Sequence, residues 1–193
     1  REDGGVRYEA RWATSRAEER AALEAWIDWL TARLEAFPDL HVFHYNSYEP
    51  VALKRLVARH ATREEELDEL LRRKVFVDLY GITRQTLRAG VESYGLKAME
   101  RVFGFERRQD ETAIGSLRRW QAYLEEGDAE LLDAIAIYNE DDVRSTAALQ
   151  RWLWERRPEV EAAFGVELAA LEAQPPKELT ERQGLRLGRT EQL

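Results

Sequence analysis

The stretch "LHVFHYNSYEPVALKRL", residues 40–56, opens as a β-leaning apolar run, breaks at a polar turn and continues as a helix. Leu40 to Tyr45 read as a short strand, "NSYEP" as the turn, and Val51, Leu53 and Leu56 as helical apolar positions. A strand that runs straight into a helix is the building unit of an α/β domain. In an open sheet of that kind ligands bind outside the carboxyl ends of the strands, so Asn46, Tyr48 and Glu49 stand where a site would form. The same residues also have structural uses. Asn46 suits a turn or helix cap, and Glu49 in a first helical turn complements the helix dipole.

Outward from this unit the alternation continues. Upstream, "VRYEARWA" (6–13) alternates apolar and polar residues and is expected to be a half-buried strand. Ser15 followed by Glu18 is a capping-box signature, and Leu23, Trp26, Ile27, Leu30 and Leu34 form one helical stripe that stops near Pro38. Downstream, "TREEELDELLRR" reads as a charged helix. "KVFVDLY" carries three consecutive apolar residues, Val75 to Val77, as expected of a strand buried on both faces. Asp78 at its end is expected to cap the next helix. "GITRQTLR", "YGLKAMERVFG", "SLRRWQAYLEEG" and a long segment from about Asp128 to Arg157, ending before Pro158, read as helices. Residues 1–172 are therefore expected to form one domain. The polar, Pro-Pro-containing stretch 173–193 is expected to be an arm or linker.

Composition narrows the chemistry. The 193-residue chain is of single-domain size, and its 44% apolar and 34% charged residues suit a globule with a core. It has no cysteine, which excludes disulfides and thiolate metal sites and fits a reducing, cytoplasmic setting. His41, His44 and His60 follow no metal-binding spacing. No apolar run approaches the roughly 18 residues of a membrane span. The net charge of -8 opposes broad electrostatic adhesion to nucleic acid. It leaves open contact through divalent ions that bridge carboxylates to phosphates.

One segment conflicts with its own pattern. In "AIAIYNEDDVRST" (134–146), helical spacing puts Leu131, Ile135, Tyr138, Asp142, Leu149 and Leu153 within a stripe roughly 60° wide, with Asp142 near its middle. Glu140 is expected on the opposite side and Asp141 on a flank, both solvated. A carboxylate on a core-facing stripe needs a partner, because burying it alone costs several kcal/mol or protonates it. The partner is either a buried arginine or a neighbouring element, or else a metal ion. Tyr138, one turn earlier on the same face, can set its phenol beside whatever Asp142 binds.

"NSYE", "VESYGLKAMERVFGF" and "YNEDD" together resemble the ribonuclease H-like 3′-to-5′ exonucleases of the DEDD class, in the subtype whose last motif is Tyr-x-x-x-Asp. The likeness, over about residues 6 to 157, is closest to domains near the C-terminus of predicted RecB-type nucleases. The resemblance implies an α/β fold with a mixed sheet flanked by helices. It also implies two divalent ions, Mg²⁺ or Mn²⁺, on four carboxylates. Asp142 and Glu49 would be metal ligands, and Tyr138 would orient the attacking water. The substrate would be nucleic acid, a single-stranded DNA 3′ end, and further nuclease or helicase domains would be partners.

Glu49 stands where the family generally has aspartate. The family's first motif, Asp-x-Glu on the first strand, is carried by no strand of this chain, so the chain is expected to begin inside the domain or to be a remodelled form. The alternative function is a catalytically inactive module that binds nucleic acid or docks a partner domain. A plain helical scaffold with a buried ion pair is a third possibility. Lys54 and Arg55, Arg84 and Arg88, and Lys97 and Arg101 either line a phosphate track or are solvated helix faces. Tyr48 and Tyr94 either stack on an unpaired base or pack in the core.

Overall fold

The computed structural model describes residues 7–110 and 112–169. Among the described residues seven helices and two strands follow one another as α1 (Arg16–Ala36), β1 (Val42–His44), α2 (Tyr48–His60), α3 (Glu64–Arg72), β2 (Phe76–Asp78), α4 (Leu79–Thr86), α5 (Leu96–Phe103), α6 (Ala113–Glu126) and α7 (Ala129–Phe164). β1 and β2 pair in parallel, with Val42 opposite Phe76 and His44 opposite Asp78. Parallel pairing requires a crossover, which α2 and α3 supply. Both strands thus end on the same side, and α2 and α4 start there.

The first half of the core follows from the α1 stripe. Leu23, Ile27, Leu30 and Leu34 are buried against Val57 of α2, Leu67 and Leu70 of α3, and Val75. The start of α1 carries the expected capping box: the Ser15 hydroxyl accepts from the Glu18 N–H, and the Glu18 carboxylate accepts from the Ser15 N–H. Asp78 caps α4 as expected, accepting from the Tyr80 N–H at 2.9 Å. Beyond β2, α5 and α6 both pack on α7, where Met99, Ile135 and Leu149 are buried beside the polar side chains of Glu100, Asp141 and Ser145.

Four expectations need correction. Residues 7–13 form no strand, and Val6 lies outside the described residues. Alternation alone does not make a strand without a hydrogen-bonding neighbour, and Trp12 stacks instead on Trp120 of α6, with ring centroids 5.9 Å apart. The sheet is not mixed among the described residues: it is one parallel pair, and Phe76, Val77 and Asp78 of β2 are only half-buried because no second neighbour covers them. α7 does not stop at Pro158 but runs through it to Phe164. Proline removes one backbone donor, and Arg157–Glu161 and Arg156–Glu159 ion pairs brace the turns around it. Asp141, expected on a solvated flank, is 1% exposed. The arm assigned to 173–193 lies outside the described residues. No described helix is long and apolar enough to cross a membrane.

Candidate active site

At the carboxyl ends of the two strands the chain is held by Asp78. Its Oδ1 accepts from the Asn46 N–H at 2.8 Å as well as from Tyr80, so one carboxylate ties the turn after β1 to the turn after β2. Asn46 takes a left-handed conformation (φ 71), which asparagine tolerates better than most residues, and its side chain accepts from the Ser47 N–H. Its carbonyl is 2.6 Å from His44 Nδ1, and that pairing makes Nδ1 the donor. Asn46 thus sets the turn through its backbone and its Oδ1. This turn delivers Glu49 into the first turn of α2, with an oxygen 3.7 Å from His44 Nδ1.

Across from it stands the middle of α7. Glu49, Tyr138 and Asp142 line one cavity of about 540 Å³, together with Lys97 at the start of α5, Arg107, and the first residues of α6. The two acids, 93 positions apart in sequence, also act on each other electrically. Burial raises the pKa of Glu49, hydrogen bonding to its own backbone and the nearby His44 oppose the rise, and Asp78 and Asp142 add to it. Tyr45, on the same wall, donates its hydroxyl to the Tyr94 carbonyl, and burial with Tyr80 and Asp78 pushes it up to about 12. It remains a phenol across the working pH range.

The partner of Asp142 is a guanidinium. Arg107 donates from Nη2 to Asp142 Oδ1 at 2.7 Å, and it grips Glu100 through Nε at 2.9 and 3.0 Å and through Nη2 at 2.7 Å. The Ser145 hydroxyl donates to the same Glu100 carboxylate at 2.7 Å. Burial alone would lower the pKa of Arg107, but the Glu100 and Asp142 carboxylates raise it, so the cation is permanent. Asp142 is not sealed in a dry interior, however: its side chain is 36% exposed, against 9% for Arg107. The Tyr138 ring lies close to two cations, its centroid 5.8 Å from the Arg107 guanidinium and 5.9 Å from the Lys97 ammonium.

The remaining residues singled out in the sequence are elsewhere. Tyr48 and Lys54 are exposed on α2 and do not line the cavity. Arg84 lies over the Tyr80 ring at 5.5 Å. Tyr94 is anchored through its hydroxyl, which donates to the Leu87 carbonyl and accepts from the Ala89 N–H. Glu140 and Asp141, expected to be solvated, both bind Arg108, whose backbone N–H also donates to Asp141. The sequence reading missed Glu100, Arg107 and Arg108. The available signal was "FERRQD", two adjacent arginines in a loop that must meet the acids of "YNEDD".

Among the described residues no group of three or more acidic or histidine side chains is arranged to hold a metal ion. Mg²⁺ commonly binds through one or two carboxylates, with waters and substrate phosphate completing six oxygens. Glu49 and Asp142 are two carboxylates lining one cavity, the number that such an ion takes from protein.

A family model of the RNase H superfamily matches residues 2–154. The chain belongs to the RNase H superfamily. Neither curated proteins nor solved structures give a match to it. The RNase H superfamily match extends from the residues before α1 into α7 and so includes every wall of the cavity. Superfamily members are typically phosphodiester hydrolases that use divalent metal ions, which puts this RNase H-like domain in a nuclease-related, nucleic-acid-directed class.

Proposed function

We propose that this RNase H-like domain is a divalent-metal-dependent 3′-to-5′ exonuclease domain acting on single-stranded nucleic acid, as part of a larger nuclease. The supporting observation is the convergence of Glu49, Asp142 and Tyr138 on one open cavity from two distant helices. Glu49 and Asp142 would hold the ion between them. A bound ion would lower the pKa of water and offset phosphate charge. Tyr138, its ring close to Lys97 and Arg107, would present its hydroxyl to the attacking water, and Lys97 would neutralise phosphate at the cavity rim.

The test is release of nucleotides from a 3′-labelled single strand in Mg²⁺ or Mn²⁺, for this chain and for one carrying an upstream Asp-x-Glu strand. Asp142→Asn is expected to reduce hydrolysis to background, and Tyr138→Phe to lower kcat by about 10²-fold with KM little changed. Hydrolysis that persists in Asp142→Asn overturns these roles.

A second reading has its own observation, the Arg107 guanidinium on Asp142. With that pair permanent, the domain would bind nucleic acid without cutting it. Tight strand binding with no hydrolysis in either form would select this reading.

A further inference from the structure

The hydrogen bonds of Arg107 are asymmetric. A guanidinium has two edges suited to bidentate contact with an oxyanion, one made by Nε and one terminal nitrogen, the other by both terminal nitrogens. Glu100 fills the first edge from Nε and Nη2. On the second, Nη2 donates to Asp142 Oδ1, while Nη1 is buried without any hydrogen-bond partner. That edge is half used, and leaving a buried donor unpaired is costly.

Three further observations bear on the same place. Arg107 lines the cavity with Lys97. The residues at the start of α5, Gly95 to Ala98, also line it, and α5 has no side-chain cap, so its first-turn N–H groups have no side chain to satisfy them. Arg107 does not depend on Asp142 for its place, because Glu100, itself 8% exposed and held by Ser145, anchors it from the other side.

We propose that Arg107 is a phosphate-binding residue that exchanges partners: a substrate phosphodiester takes the Nη1–Nη2 edge in bidentate fashion, with Lys97 and the start of α5 around it, and displaces Asp142. The exchange satisfies Nη1, and it releases the Asp142 carboxylate into the cavity beside Glu49. Without phosphate, Arg107 offsets the charge of Asp142. With phosphate, the guanidinium charge is met by substrate and the acids are left to a cation. Substrate binding and cation binding are thereby coupled through one side chain. The inference rests on the nuclease reading for the identity of the ligand, but not on hydrolysis taking place.

The test is binding in chelator, where nothing is cut, of a labelled single-stranded oligothymidylate, with inorganic phosphate as competitor to separate a lone phosphate site from one needing a strand. Asp142→Asn replaces a charge-assisted contact on that edge by a weaker amide one and also removes one negative charge. Glu49→Gln removes a charge from the same cavity without touching Arg107. Asp142→Asn is expected to tighten binding at least about fivefold more than Glu49→Gln, and Arg107→Lys to cancel that excess, since lysine cannot make the bidentate contact. Equal effects of the two acid variants, or an excess that survives in the Arg107→Lys background, would overturn the exchange. Should Arg107→Lys fail to fold, the comparison of the two acid variants still decides. The exchange without hydrolysis would leave this inference standing and remove only the catalytic reading. Hydrolysis without the exchange would do the reverse.

Discussion

Glu49 is held at some cost. Its carboxyl pKa is raised by burial first and then by Asp78 and Asp142, against the opposing pull of its own backbone hydrogen bond and His44. A carboxyl whose pKa is higher in the folded than in the unfolded state favours folding while protonated. That contribution is complete below the unfolded pKa and is lost as pH rises through the folded one. Glu49→Gln is therefore expected to raise Tm at neutral pH, by no more than about 2 °C because solvent screens a half-exposed group. The gain should vanish when the pH falls below the ordinary carboxylate range. Thermal unfolding followed by circular dichroism at several pH values checks this, and a variant less stable than the parent at neutral pH would contradict it. The same carboxylate must be ionised to hold a cation, so metal affinity is expected to fall as pH falls. At this scale the sequence was informative about Asp142, since a charge on an apolar stripe announces a partner. It did not identify that partner, because Arg107 lies in a loop 35 positions away and nothing periodic links the two.

Among the elements, helices were legible wherever a local rule fixed them. α1 is the clearest: its stripe gives the buried face, and its capping box gives the start. Ser15→Ala removes the side-chain acceptor for the Glu18 N–H and is expected to cost about 1 kcal/mol of stability in denaturant unfolding, with the slope unchanged. No loss would mean that packing alone sets that end. β1 and β2 were legible as apolar runs between turns, but their neighbours were not, and the strand expected over residues 6–13 shows why. Period-two alternation describes which face of a segment is apolar, whereas a strand exists only if another chain segment accepts its hydrogen bonds. Trp12 found an aromatic surface on α6 instead. Pro158 was misread for a related reason: the rule against proline inside a helix is energetic, and the long α7, braced by ion pairs on both sides of the residue, tolerates one lost bond.

For the whole molecule the governing quantity is charge. The chain carries a net charge of -8, so long-range attraction to a polyanion is absent and binding has to be local. Two basic side chains, Lys97 and Arg107, line the cavity, while Lys54 stands exposed on α2 outside it. Each phosphate neutralised on a single strand contributes roughly -0.7 to the slope of log K against log salt. Two cations at the cavity therefore predict a slope of about -1.4 for single-strand binding in chelator. A track that also ran over Lys54, Arg55, Arg84 and Arg101 would give a slope of about -4.2. Titrations at several salt concentrations separate the two, and Lys54→Gln supplies an internal control. It leaves affinity and slope unchanged if the cavity alone engages phosphate, and reduces both if α2 contributes. A shallow slope carries a further consequence for an acidic protein of this superfamily. On the proposed function, divalent ions at Glu49 and Asp142 would then do most of the work of approaching a phosphodiester, and adding Mg²⁺ should strengthen binding where added monovalent salt weakens it.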